Sequence, residues 1–223
     1  MILLGLTGSI AMGKSRAAAM FRAYGVPVFD ADAVVHALFA PDGAAVAAVA
    51  AAFVDVLTPD GAIDRGRLGR LVLGDATALA RLEGIVHPLV RAAEGRFLRR
   101  ACRAGAPLVV LDIPLLYETG GERRVDAVAV VSASALLQEQ RALRRPGMTK
   151  PKLAQILSKQ VPDPIKRRRA DFVIASGYDD GRLAAQVGKI VAAALRLTPR
   201  AWPDRWNGAA GTARRRSPGA VVS

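Results

Sequence analysis

The stretch that decides this protein is Gly8-Ser9-Ile10-Ala11-Met12-Gly13-Lys14-Ser15, preceded by the continuously apolar Ile2-Leu3-Leu4-Gly5-Leu6 and followed by a helix-compatible run from Lys14 to Tyr24. The eight residues match the phosphate-loop pattern G-x-x-x-x-G-K-[ST] in full, in the strand-to-helix context that gives the pattern its meaning. Gly8 and Gly13 let the backbone turn so that successive N–H groups point at phosphate oxygens, while the positive end of the following helix faces the same charge. Lys14 is suited to the β- and γ-phosphates and the Ser15 hydroxyl to Mg²⁺. Together they predict a nucleoside triphosphate site built from Gly8, Ala11, Met12, Gly13, Lys14, Ser15 and Arg16.

Working outward, further short apolar runs occur at Val26–Phe29, Leu108–Leu111, Asp126–Val131 and Phe172–Ala175. Buried strands separated by helical stretches predict a parallel sheet with helices on both faces. The Ala-, Leu- and Arg-rich stretch between the second and third strands is too long for a crossover and predicts a helical insertion. Breaks are expected within it at Pro41-Asp42-Gly43, at Pro59-Asp60-Gly61, and at Pro88, where proline suits the first turn of a new helix.

Composition narrows the class. At 223 residues the chain can bury a core without a disulfide, and one cysteine and two histidines offer no Cys-based metal framework. The longest apolar run, Ala44–Val54, is too short to span a bilayer. These features predict a soluble, cytoplasmic chain with no membrane partner. A net charge of +13 invites a phosphorylated or polyanionic partner. The sole Asn, Asn207, is followed by Gly208, so the Asn-Lys-x-Asp reader of guanine is absent and GTP signalling is excluded. Motor and helicase ATPases close their third strand with paired acids, whereas Asp112 is followed by Ile113-Pro114. A small-molecule kinase remains.

The chain resembles the dephospho-coenzyme A kinases. The resemblance runs over about residues 2–192 and rests on Gly5-Leu6-Thr7-Gly8, Asp30-Ala31-Asp32, His87-Pro88-Leu89-Val90-Arg91, Asp112-Ile113-Pro114-Leu115-Leu116-Tyr117-Glu118, Gln138 with Arg141, and Ala170-Asp171-Phe172-Val173-Ile174, in that order. It implies an α/β P-loop kinase: a parallel five-stranded sheet flanked by helices, with a helical substrate-binding insertion and a lid. In numbers this is a kinase domain over 1–197 (core 1–31, 105–143 and 170–197; insertion 32–104; lid 144–169), while the basic, Pro- and Gly-containing composition beyond it, without apolar periodicity, predicts a disordered tail over 198–223. The resemblance implies ATP as donor with Mg²⁺, dephospho-CoA as acceptor, and no specific nucleic acid; a monomer is the favoured state. Another P-loop nucleotide kinase, or a nucleic-acid protein that binds ATP, are the alternatives.

Asp32 resembles the residue that takes the proton from the attacking 3′-hydroxyl; as plain aspartates, Asp30 or Asp32 cap the next helix. His87 either lines the acceptor pocket or is an ordinary satisfied side chain, and His36 is read as the latter. Asp112 either holds Mg²⁺ through water or touches substrate, or else anchors its loop, with Leu115 packing against substrate or the inserted helices. Arg141, Arg144 and Arg145 share a helical face, but the resemblance carries only Arg141 toward the triphosphate. Lys166–Arg169 is either a lid edge or a solvated cluster. The loop departs from the family's glycine-rich form at Ser9, Ala11 and Arg16, and Ser176-Gly177 stands where Asn and Gly are usual, so fewer positive-φ conformations are expected in the loop. In the tail, Arg200, Arg205, Arg214, Arg215 and Arg216 face Asp204 alone. The competing reading is that Trp202 and Trp206, four apart, dock on the core.

Overall fold

Residues 1–207 are described by the computed structural model. They divide into two compact units, one made of Met1–Phe29 and the chain from Ala101 onward, the other of Asp30–Arg100. No helix among the described residues is long and apolar enough to cross a membrane.

The first unit is built on five strands: β1 (Ile2–Thr7), β2 (Val28–Asp30), β3 (Leu108–Asp112), β4 (Ala127–Ser132) and β5 (Phe172–Ala175). They lie in the order β2-β3-β1-β4-β5, and β1 pairs in parallel with both β3 and β4, as β4 does with β5. The central strand is buried at every residue, as are β3 and β4, which is why these runs read as continuously apolar. Helices α1 (Lys14–Ala23) and α9 (Asp180–Ala194) cover one face, where Ala17, Phe21, Leu183, Val187 and Ile190 form one cluster with Leu4, Leu6, Val110, Ala129 and Ile174. Because β1 has neighbours reached by chain running to either side of it, the crevice beyond the carboxyl ends of β1, β3 and β4 is the place where such sheets bind ligands.

The second unit holds α2 (Ala31–Phe39), α3 (Val46–Ala52), α4 (Arg65–Val72) and most of α5 (Ala76–Arg103). Leu38, Phe39, Val49, Phe53, Ile63, Leu68 and Val86 make its core. The break at Pro59-Asp60-Gly61 is a tight turn closed by the Leu57–Ile63 bridge, with Gly61 at φ +84°. The break expected at Pro88 does not occur. Instead α5 runs for 28 residues with Pro88 inside it. An interior proline costs about 3 kcal/mol. Val86 is buried and Leu82, Ile85, Leu89 and Val90 pack beside it, so apolar contacts on both sides of Pro88 hold the helix together.

After β4 come α6 (Ala135–Leu143), α7 (Lys150–Ser158) and α8 (Asp163–Arg169). Lys166, one of the residues expected as a lid edge or a solvated cluster, is not solvated: it is fully buried, with its Nζ 2.9 Å from Glu118 Oε1. The same Glu118 oxygen accepts the Val161 N–H, and Asp163 accepts from the Ser132 hydroxyl at the end of β4.

The expected disordered tail also needs correction over its first residues. Asp126 Oδ1 accepts the N–H groups of Arg200 and Ala201 while Oδ2 accepts that of Leu3, so one carboxylate joins this segment to β1. Ala201 is fully buried. In α10 (Asp204–Asn207), Arg205 donates to the Val125 carbonyl and the Trp206 indole to that of Arg124, whose guanidinium lies 4.8 Å from the Trp206 ring centre. Charge composition concealed this docking because its acceptors are backbone carbonyls and one aspartate far off in sequence. The remainder of the expected tail, 208–223, lies outside the described residues.

Candidate active site

The phosphate loop leaves β1 at Gly8, where no side chain fits: a Cβ there would lie 2.7 Å from the Val131 carbonyl oxygen. Gly13 caps α1 at φ +87°, and a Cβ on it would lie 2.9 Å from Ser176 Oγ. Fewer left-handed residues were expected after loss of the family glycines, yet Ala11 sits at φ +61°. That conformation costs an alanine about 1–2 kcal/mol. The buried Ala11 methyl packs with Ala142 and Leu153, and side chains from other elements hold the loop. Gln138 Nε2 donates to the Ile10 carbonyl, and Gln160 Oε1 accepts the Ile10 N–H. Ser176, fully buried, donates its hydroxyl hydrogen to the Met12 carbonyl.

Lys14 Nζ lies 2.5 Å from Asp112 Oδ1, joining the first turn of α1 to the end of β3. The Asp112 side chain is 3% exposed and that of Lys14 is 14% exposed. Thr7 Oγ1 donates to the Pro114 carbonyl and so ties β1 to the same loop. Beyond it Leu116 is buried, while Leu115 is 42% exposed and available to a ligand.

Arg141, on α6, donates Nη1 to Ser176 Oγ and Nη2 to the Ser176 carbonyl. Arg16 reaches that carbonyl as well, along with the Tyr178 carbonyl and Asp180. Burial pushes the Arg141 guanidinium below its ordinary pKa, and the positive charge of Arg16 adds to the shift. It stays cationic, so two guanidiniums converge beside the phosphate loop, an arrangement suited to an anion. Arg144 and Arg145, on the expected shared face, are exposed and stand outside this group.

The structure therefore brings Gly8, Ala11, Met12, Gly13, Lys14, Ser15, Arg16, Asp112 and Arg141 together in the first unit. Asp32 and His87 belong to the second. Asp30 caps α2, accepting the Ala33 N–H, and Asp32 is exposed in the first turn of that helix. His87 is exposed on α5, and His36 lies within 3.4 Å of an Arg65 nitrogen. Sequence reasoning missed Gln160 and Asp180 and assigned Ser176 no contact to the loop. These residues act through single hydrogen bonds across long separations, which leave no periodic or motif signal.

The oxygen donors suit Mg²⁺. Ser15, in the first turn of α1, is exposed, and Asp112 ends the neighbouring strand. Among the described residues no group of three or more His, Cys, Asp or Glu side chains stands ready to hold a metal.

A parallel sheet with a strand–phosphate loop–helix at its centre, a lysine paired with the acid of the adjacent strand, and arginines beside the loop defines the P-loop phosphotransferases. The profile of the dephospho-CoA kinase family matches residues 2–180. This chain belongs to that family. A dephospho-CoA kinase of Paramagnetospirillum magneticum is 66% identical over 75% of this chain and 78% of its own. One of Mesorhizobium japonicum is 56% identical over 86% of this chain and 95% of its own. Among solved structures, a Thermus thermophilus protein superposes with a TM-score of 0.75 at 33% identity, covering 86% of this chain and 96% of that one. A Campylobacter jejuni dephospho-CoA kinase agrees in fold, with a TM-score of 0.58 at 22% identity and the same coverage.

Proposed function

We propose that this protein transfers the γ-phosphoryl group of ATP to the ribose 3′-hydroxyl of dephospho-CoA, giving coenzyme A and ADP. Family membership supports the reaction, and the observation that carries the chemistry is the Lys14–Asp112 pair set directly behind the phosphate loop. Phosphoryl transfer needs little covalent work from the protein; positioning and charge stabilisation dominate.

In this reading the backbone N–H groups of the loop and the amino end of α1 cradle the β-phosphate. Lys14 exchanges its contact with Asp112 for β- and γ-phosphate oxygens. Arg16 and Arg141 face the triphosphate, where fixed guanidiniums stabilise the charge that builds on the transferred group. Mg²⁺ would be held by the Ser15 hydroxyl and through water by Asp112, and when bound it neutralises charge on the β- and γ-phosphates. Asp32 accepts the proton of the attacking hydroxyl, with His87 and Leu115 on the acceptor side. Residues 144–169 exclude water so that ATP is not hydrolysed.

ATP consumption measured with dephospho-CoA, AMP, pantetheine phosphate and short nucleic acids tests the acceptor. Stimulation by dephospho-CoA alone is expected. Stimulation by AMP or nucleic acid without dephospho-CoA would refute the reading.

A further inference from the structure

Two carbonyls of the phosphate loop are held from outside by side chains whose part in the reaction remains to be assigned. Gln138 Nε2, from α6, donates to the Ile10 carbonyl at 2.9 Å. Ser176 Oγ, from the loop after β5, donates to the Met12 carbonyl at 2.5 Å. Both side chains are buried, at 7% and 0% exposure.

A trans peptide is planar, with its C=O and N–H pointing in opposite directions. A carbonyl fixed toward the body of the unit therefore fixes the next N–H away from it. The N–H groups so aimed belong to Ala11 and Gly13. These are the two left-handed residues of the loop, at φ +61° and +87°, and such alternation is what turns consecutive N–H groups into an anion-binding concavity.

The two peptides are unequal. Flipping the Ile10–Ala11 peptide would rotate φ of Ala11 by about 180°, from positive to negative φ, the sign that a residue with a Cβ prefers. A flip at Met12–Gly13 meets no such bias, because glycine adopts either sign of φ with equal ease. With alanine at position 11 the loop thus carries a backbone preference for the wrong orientation, and the Gln138 hydrogen bond opposes it.

We infer that Gln138 and Ser176 are positioning residues that hold the Ile10–Ala11 and Met12–Gly13 peptides with their N–H groups toward the nucleotide phosphates, Gln138 doing so against the backbone preference of Ala11. This rests on the phosphate-binding part of the proposed function and is independent of the acceptor.

The test measures ADP affinity by calorimetry and adenosine affinity by ligand-observed NMR. Gln138→Met keeps the side-chain length and removes the donor. It should weaken ADP roughly 10- to 100-fold, the loss of one hydrogen bond to a charged phosphate, and leave adenosine unchanged. Adding Ala11→Gly to that variant should recover much of the ADP affinity, since glycine removes the bias toward the flipped peptide. Ser176→Ala should also weaken ADP selectively, while Ala11→Gly should not restore it, because the two act on different peptides. Unchanged ADP affinity in Gln138→Met, an equal loss of adenosine, or no recovery with Ala11→Gly would each overturn the inference. A wrong acceptor assignment would show separately, as wild-type protein that binds ADP but does not turn over dephospho-CoA.

Discussion

Replacing Lys14 should cost stability as well as activity. By type and motif Lys14 contributes a charge to phosphate and little packing, so its loss reads from sequence as purely catalytic. In the folded chain it faces Asp112, whose side chain is 3% exposed. Lys14→Met keeps the aliphatic stem and removes the ammonium, so the buried Asp112 carboxylate loses the charge of Lys14. Breaking a buried pair costs about 3–5 kcal/mol. The 14% exposure of Lys14 lets some water in and lowers the expectation to about 2–4 kcal/mol. For a chain of this size that is a fall in Tm of about 5–15 °C. Asp112→Asn in the same background removes the buried charge, so Lys14→Met/Asp112→Asn should regain most of the lost stability while remaining inactive. Urea denaturation of wild type, both single variants and the double, without nucleotide, gives the coupling between the two residues. Lys14→Met as stable as wild type, or a double variant no more stable than Lys14→Met, would refute the reasoning.

Asp32→Asn should lower turnover roughly 10²–10⁴-fold with ADP affinity retained, as expected for loss of a positioned base; a larger loss in Asp30→Asn, at equal stability, would exchange the two roles. Asp126→Ala strands the buried N–H groups of Leu3 and Ala201 and should cost about 2–5 kcal/mol in the full chain but less in a chain ending at Thr198, where the Ala201 N–H is absent; equal cost in both, by urea denaturation, would dissociate Asp126 from the docking of Arg200–Trp206. The carboxylate of Asp64, which caps α4, is held below the usual carboxylate range chiefly by the Arg67 N–H. A depressed folded-state pKa stabilises above the unfolded value and is lost as pH falls through the folded one, so the stability difference between wild type and Asp64→Ala should shrink on acidification below about pH 4. A difference that stays constant between pH 6 and pH 3 would exclude the cap as its source.

How far the chain could be read in advance follows from the range of the interactions involved. Strand, phosphate loop and helix are consecutive in sequence, so Ile2–Ala23 carries its own signature, and the apolar runs of β3 and β4 are legible because a strand buried on both faces favours apolar residues along its length. Family motifs extended that reading to Asp112 and Arg141. Local rules failed where tertiary contacts outweighed them. Pro88 should break a helix, and packing on both sides carried α5 through it. Ala11 should avoid positive φ, and Gln138 and its buried methyl keep it there. Lys166 should be solvated, and Glu118 takes it inside.

Fold class and phosphate-binding chemistry were legible in the order of residues, because both are written in short-range patterns: hydrophobic period, two glycines, a lysine and a hydroxyl at set spacing. The partner that each polar side chain takes was set by tertiary contacts. Lys14 with Asp112, Arg141 with Ser176, Gln160 with Ile10 and Asp126 with Arg200 and Ala201 are separated by dozens of residues or more. Such pairings depend on where folding brings buried polar groups that must each find a hydrogen bond, and no local preference encodes them.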